Sequence, residues 1–144
     1  MTDVDRDSNI RSPIIVDAGL LEWTATSTIG VLSKELRSDP GDGSKTWLLK
    51  IEPENTLPWQ TSSVLREGYL VSGSYQQSEC VAGQVHTAQY APGGYVDRPA
   101  TTINGGPEAK ALTESIWFLR EMQGGTEQIV PGCVAQQDPL LGRP

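Results

Sequence analysis

Hydrophobic residues alternate with polar ones along several short stretches, and no stretch sustains the spacing of an amphipathic helix. In residues 47–52, for example, Trp47, Leu49 and Ile51 fall on one face of an extended chain. Alternation or a compact apolar run predicts strands at residues 14–16, 30–36, 47–52, 64–71, 85–90 and 116–119. Fifteen Gly and ten Pro indicate frequent turns between them. The pattern therefore predicts an all-β protein.

Three other segments show no strand pattern. Residues 74–83 are polar and predict a loop or hairpin tip, while residues 109–112 have room for at most one helical turn. Residues 124–144 are rich in Gln, Gly and Pro and predict an irregular tail. Because 144 residues suit one domain, we place a single barrel at residues 13–123, after a flexible N-terminus at residues 1–12.

Charge and hydropathy restrict the partners of the protein. Its formal charge of −7 argues against binding to a nucleic-acid backbone or to an anionic membrane surface. No apolar run approaches the roughly 20 residues of a membrane-spanning helix. The first residues are charged where a secretory signal would need an apolar stretch. We therefore expect a cytoplasmic protein with no nucleic-acid and no membrane partner.

The chain has two cysteines, Cys80 and Cys133. Two cysteines are too few for a disulfide framework, and neither has a close Cys or His neighbour that would indicate zinc. The sequence therefore predicts free thiols.

Two glycine- and proline-bounded segments, residues 52–73 and 92–104, have the same design of a short strand between turns. In the second, Gly93, Pro99, Thr101 and Asn104 follow the spacing of glycine, five residues, Pro, one residue, glycine, two residues and His. This spacing resembles the second signature motif of the cupins, with Thr101 in place of glycine and Asn104 in place of the metal-binding His. The resemblance implies a single-domain jelly-roll barrel, the double-stranded β-helix of the cupins.

The first segment resembles the other cupin motif by spacing. With Gly73 as the closing glycine, Arg66 occupies the position of the Glu ligand. The two His positions then fall on Gln60 and Ser62 with the shorter spacer, or on Trp59 and Thr61 with the longer one. Over residues 20–119 the chain is similar to cupins of the anti-sigma-factor and acetylacetone-cleaving dioxygenase type. That similarity rests on Trp23, Gly30, Leu57, Pro58, Gly94, Tyr95 and Val96.

The chain differs from the cupin motifs at the positions that bind the metal. Cupin metal sites use imidazoles and a carboxylate, whereas this chain offers amides, a hydroxyl and a guanidinium at those positions. A guanidinium has no lone pair available for a cation and stays protonated. The resemblance, read with these replacements, implies no metal ligands and no cofactor.

The candidate catalytic residues are Arg66, Arg98 and His86. Arg66 either faces the barrel cavity or pairs with a carboxylate on an adjoining strand, and Arg98 is either a second cavity cation or a rim residue. His86 is the single histidine, so any imidazole acid–base chemistry must use it, although a strand histidine is often structural. The candidate substrate-binding residues are Gln60, Ser62, Asn104, Trp47, Trp59 and Phe118.

Two function hypotheses follow from these residues. The first is a metal-independent cupin enzyme, an isomerase, cyclase or lyase, whose arginines hold a carbonyl, enolate or carboxylate of a small organic molecule. The second is a non-catalytic cupin that binds a small ligand or a protein. A metal-dependent dioxygenase is a weaker third hypothesis, because the chain has one histidine. We also expect a homodimer, since free sheet edges gain from being covered.

Overall fold

The computed structural model describes residues 12–134, which form two antiparallel sheets after a short 3-10 helix, Ala18–Leu20. The strands are β1 (Thr24–Ala25), β2 (Val31–Ser38), β3 (Lys45–Ile51), β4 (Thr56–Ser62), β5 (Arg66–Ser72), β6 (Tyr75–Val81), β7 (Gln84–Tyr90), β8 (Tyr95–Arg98), β9 (Ile103–Ala111), β10 (Ser115–Glu121) and β11 (Glu127–Ile129). Within this part of the chain, no helix is long and apolar enough to cross a bilayer. The all-β prediction is confirmed.

The strand order is that of a jelly roll. The six-stranded sheet runs β1-β2-β3-β10-β5-β8, and the five-stranded sheet runs β11-β4-β9-β6-β7. Without β1, β2 and β11, each sheet has four strands, and the chain alternates between the sheets from β3 to β6 and again from β7 to β10. This arrangement of two four-stranded sheets is the jelly-roll barrel.

The core lies between the two sheets. Val31, Ile51 and Leu70 project from the six-stranded sheet and are almost fully buried. Tyr75 of β6 meets Trp117 of β10 edge to face, with ring centroids 5.6 Å apart, a favourable geometry for two aromatic rings. The predicted face of β3 is confirmed, because Trp47 and Ile51 are buried and Leu49 packs against the same cluster.

Two predictions about regular structure were wrong in the five-stranded sheet. Residues 75–81 form β6 rather than a loop. The sequence did not indicate this strand, because its inward face includes the polar residues Gln77 and Glu79 and shows no apolar alternation. Residues 109–112 hold no helical turn, and Ala109 to Ala111 instead complete β9. The Gly105-Gly106 pair lies inside β9 at an irregular register with β4.

The N-terminal prediction was also wrong in part. Residues 14–16 form no strand within the described chain, and Ile15 is 92% exposed. Within the described chain no strand pairs with residues 14–16, so their apolar side chains did not indicate a strand. The predicted flexible N-terminus at residues 1–12 lies outside the described residues, apart from Ser12.

The predicted irregular tail contains ordered structure. β11 adds to the edge of the five-stranded sheet by pairing with β4, and Val130 donates a backbone hydrogen bond to Trp59. Beyond this, Cys133 forms a disulfide with Cys80 of β6. The prediction of free thiols was therefore wrong, because the fold brings together two cysteines that are 53 residues apart in sequence.

Candidate functional site

A cavity of about 270 Å³ lies between the two sheets and is lined by residues from both. Its apolar wall belongs to the six-stranded sheet, where alternate positions of β3 and β10 point inward. The members of this wall are Trp47, Leu49, Ile51, Trp117 and Leu119. The volume is just below the roughly 300–1,000 Å³ typical of pockets for drug-sized ligands. The cavity thus has space for a small organic molecule.

Arg66 of β5 lines this cavity and is held there by two carboxylates. Its Nε donates to Glu121 Oε2 at 2.9 Å and its Nη1 donates to Glu127 Oε2 at 2.8 Å, while its Nη2 lies 2.8 Å from Glu121 Oε2 as an ion pair. Glu121 is directly opposite Arg66 in the register of β10 with β5, which explains their contact. Both hypotheses for Arg66 therefore hold together: it faces the cavity and it pairs with a carboxylate on the adjoining strand.

The environment of Arg66 keeps it charged. Burial lowers the pKa of the Arg66 guanidinium, but its hydrogen bonds and ion pairs with Glu127 and Glu121 outweigh burial and raise the pKa above its usual value. The guanidinium carbon also lies 5.1 Å from the ring centroid of Trp47, within the range of a cation–π contact. Arg66 is therefore a permanent and fixed positive charge in the cavity wall.

Arg98 of β8 is the second cation in the wall. It forms a bidentate pair with Glu79 of β6, from Nε to Oε1 at 3.0 Å and from Nη2 to Oε2 at 2.7 Å. The pair joins the two sheets, since β8 and β6 belong to different ones. Within the described chain, Nη1 of Arg98 makes no hydrogen bond. This nitrogen can therefore donate to a ligand.

Amide side chains of the five-stranded sheet form the polar wall of the cavity. Gln60 of β4 is paired in register with Asn104 of β9, and both line the cavity together with Gln77. Asn104 is 8% exposed, and neither it nor Gln60 makes a side-chain hydrogen bond among the described residues. Amides can both donate and accept. Ser62 lies outside the main cavity and lines a void of about 10 Å³ beside Gln60, Arg66, Arg98 and Asn104.

The cupin spacing thus converges in space, although its chemistry does not suit a metal. Gln60, Ser62, Arg66 and Asn104, at the four ligand positions, line one small void. Of these groups the guanidinium cannot coordinate a cation, and the nearby Glu121 and Glu127 are engaged by Arg66. No group of three or more His, Cys, Asp or Glu within residues 12–134 has the placement of a metal site. The residues present therefore do not fit the metal of the related barrels.

Three of the predicted site residues lie elsewhere. Phe118 lies on the outer face of β10, because its neighbours Trp117 and Leu119 point inward and strand side chains alternate. Trp59 lies against Gly106 and does not line the cavity. His86 is exposed on β7, the edge strand of the five-stranded sheet, and does not line it either. Assigning these three residues to the cavity was wrong.

The carboxylates of the site were missed in the sequence. Glu121 lies on the inward face of β10, two positions after Leu119, and extending the predicted strand by two residues would have found it. Glu79 lies in the segment that was interpreted as a loop, and Glu127 in the segment interpreted as an irregular tail. Their partners across the fold are not visible in local patterns.

No protein-family model matches this chain, and no curated protein sequence matches it. Solved structures do match. An RmlC-like cupin from Ralstonia eutropha JMP134 aligns with a TM-score of 0.66 at 18% identity, over 85% of this chain and 80% of that one. A proposed acetylacetone dioxygenase from Methylibium petroleiphilum PM1 aligns with a TM-score of 0.64 at 18% identity, over 88% of both chains.

A third similar structure is the polyketide cyclase RemF from Streptomyces resistomycificus, with a TM-score of 0.62 at 14% identity over 81% of this chain and 84% of that one. Identities this low establish the fold and leave the activity open. The chain therefore has the cupin fold, an RmlC-like jelly roll, as the motif spacing implied.

Proposed function

We propose that this protein is a metal-independent enzyme that acts on the carbonyl group of a small organic molecule, as an isomerase, cyclase or lyase. The observation that supports this most is the pair of fixed guanidiniums, Arg66 and Arg98, in the wall of a cavity that is otherwise apolar on one side. Fixed donors in a partly dry site stabilise the negative charge that develops on a carbonyl oxygen. The similarity to a polyketide cyclase and to a proposed dioxygenase of diketones is consistent with such substrates.

Arg66 and Arg98 have different roles, because they differ in how fully their nitrogens are already paired with carboxylates. Arg98 has Nη1 available to polarise the carbonyl, while Arg66 is held by Glu121 and Glu127 and fixes the electrostatic potential of the wall. A proton acceptor is also needed for enolisation. Glu35 lines the cavity and makes no ion pair among the described residues. We assign Glu35 as the base that removes the proton next to the carbonyl.

The test is exchange of the protons next to the carbonyl of 1-tetralone in D₂O, followed by proton NMR with a chelator present. We expect the protein to accelerate exchange, and Arg98→Met or Glu35→Gln to reduce it by about 10²-fold or more. Arg120→Met is the matched control, because Arg120 is exposed and does not line the cavity. Exchange that is no faster than in buffer, or that requires an added divalent metal, would contradict the proposal.

A ligand-binding protein without catalysis is the second candidate function. It is favoured by the ion pairing of both arginines, which stabilises the empty cavity without any substrate. Tight binding of 1-tetralone with no proton exchange would support this alternative over the enzyme.

We also propose a homodimer. Tyr69, Val71 and Tyr95 are each about half exposed on or beside the edge strand β8, where a second copy would cover them. A monomer mass in solution at micromolar concentration would contradict this part of the proposal.

A further inference from the structure

We propose that the cavity selects an uncharged, ring-containing molecule with a keto or phenolic oxygen and rejects the corresponding carboxylate. This inference rests on the proposed function, whose substrate it narrows. It also removes the carboxylate from the ligands that the sequence had suggested. The argument depends on how the charges of the cavity are already balanced.

The lining carries as many negative groups as positive ones. The acidic members are Glu35, Glu121 and Glu127, and the basic members are Lys45, Arg66 and Arg98. Glu79 lies behind Arg98 and neutralises it. The arginines therefore add no net attraction for an anion, and an added carboxylate would leave the site with excess negative charge in a partly desolvated space.

Arg66 is the position where a carboxylate would otherwise bind. Its Nε and Nη1 donate to Glu121 and Glu127, and its Nη2 lies 2.8 Å from Glu121, so this one guanidinium already holds two carboxylates. A third carboxylate would have to displace Glu127, which is the more exposed partner at 46% against 2% for Glu121. Displacement costs the ion pair that it breaks, and a neutral oxygen avoids this cost.

Neutral oxygens have suitable partners in the rest of the wall. Nη1 of Arg98 can donate to a keto oxygen, and the amides of Gln60 and Asn104 can either donate or accept. A phenolic hydroxyl needs an acceptor, which an amide oxygen supplies. The two amides and the free Nη1 of Arg98 are therefore better partners for keto and phenol groups than for a carboxylate.

The opposite wall suits a flat ring and not a cation. Trp47 and Trp117 contribute aromatic surface to the cavity, and such surface packs well on aromatic ligands. Trp47 already has the Lys45 ammonium 4.5 Å and the Arg66 guanidinium carbon 5.1 Å from its ring centroid. Trp47 is the aromatic group best suited to bind an ammonium ligand. Such a ligand would therefore be repelled by Lys45 and Arg66, which already lie against this ring.

Isothermal titration calorimetry with three compounds of similar shape tests the proposal: 1-tetralone, 1-naphthoate and 1-naphthylmethylammonium. We expect the ketone to bind about tenfold or more tightly than either charged compound, a difference of roughly 1.4 kcal/mol. Equal or tighter binding of 1-naphthoate or of the ammonium would overturn the proposal, and so would a failure of all three to bind at millimolar concentration.

A charge-removing variant tests the cause. Glu127→Gln removes one negative charge from the wall, so the preference for ketone over carboxylate should fall severalfold. Glu114→Gln is the control, because Glu114 is exposed and does not line the cavity. An unchanged preference in Glu127→Gln would overturn the electrostatic explanation.

The results of these experiments also distinguish the inference about the ligand class from the proposed catalytic activity. Selective ketone binding without proton exchange contradicts catalysis and supports the ligand class. Proton exchange combined with equal affinity for 1-naphthoate supports catalysis and overturns the ligand class.

Discussion

The two sheets meet the same cavity with different kinds of side chain. The six-stranded sheet contributes the apolar wall around Trp47 and Trp117, and its two cavity arginines, Arg66 and Arg98, are tied into ion pairs. The five-stranded sheet contributes Gln60, Gln77 and Asn104, and the first and last of these make no side-chain hydrogen bond among the described residues. The arginines of the first sheet thus have partners that belong to the fold, while the amides Gln60 and Asn104 of the second must find partners in solvent or ligand.

This difference between the sheets predicts which substitutions lower stability and which lower ligand affinity. Removing Arg66 from the six-stranded sheet should damage the fold, because its partner Glu121 is buried with it. Removing an amide from the five-stranded sheet should affect the ligand more than the fold. The predictions that follow test this contrast.

The largest effect is expected for Arg66→Met. Glu121 is 2% exposed and would lose its main partner, and an unpaired buried charge costs roughly 3–5 kcal/mol of unfolding free energy. Chemical denaturation measures the loss, and Arg120→Met serves as the control because Arg120 is exposed.

A double variant sharpens this prediction. Arg66→Met with Glu121→Leu removes both charges, and an apolar pair of similar volume should restore most of the lost stability. If the double variant is as unstable as Arg66→Met alone, the buried charge is not the cause.

A smaller loss is expected from the disulfide. Cys80 and Cys133 close a loop with a separation of 53 residues, and such a cross-link typically contributes about 2–4 kcal/mol. We expect Cys80→Ser with Cys133→Ser to lower the unfolding free energy by that amount. Titration of the native and unfolded protein should find no free thiol before reduction, and two free thiols in the untreated protein would contradict the assignment.

A still smaller effect is expected at a glycine of β9. Gly105 has a φ of 104°, and an added Cβ would lie 2.2 Å from the carbonyl oxygen of Pro58. Gly105→Ala should therefore cost about 1–3 kcal/mol. Gly132→Ala is the matched control, because a Cβ there meets nothing within 4 Å. Equal stability of the two variants in thermal denaturation would contradict the strained geometry of β9.

The smallest effect concerns pH. The hydrogen bond from Tyr95 to Glu67 raises the pKa of the Tyr95 hydroxyl to about 12. Since the folded protein holds this proton more tightly than the unfolded chain, the stabilisation is complete below pH 10 and is lost as the pH rises towards 12. Phenolate absorbance measures the titration. Glu67→Gln should lower the apparent pKa, and an unchanged titration would contradict the contact.

The same contrast explains what could be predicted from the sequence. In β3 one face is apolar, so alternation located the strand and the wall residue Trp47, and a compact apolar run located β10. In β6 the inward face holds Gln77 and Glu79, so polarity suggested a loop. A cavity that is polar on one side weakens the hydrophobic signal of the strands that form it.

The other features that the sequence did not predict are contacts between residues that are far apart in the chain. Arg66 is 61 residues from Glu127, and Cys80 is 53 from Cys133. Only the folded sheets bring these pairs together. The cupin spacing, by contrast, located Gln60, Arg66 and Asn104, because a motif preserves the positions of the barrel even where the chemistry has changed.

The most direct test of the account measures stability and binding together in Asn104→Leu. Asn104 is buried against the cavity, and its side chain makes no hydrogen bond among the described residues. We predict that the unfolding free energy changes by less than about 1 kcal/mol, while affinity for 1-tetralone in calorimetry falls about tenfold. A loss of several kcal/mol of stability, or an affinity equal to that of the unmodified protein, would contradict the claim that the polar wall serves a ligand.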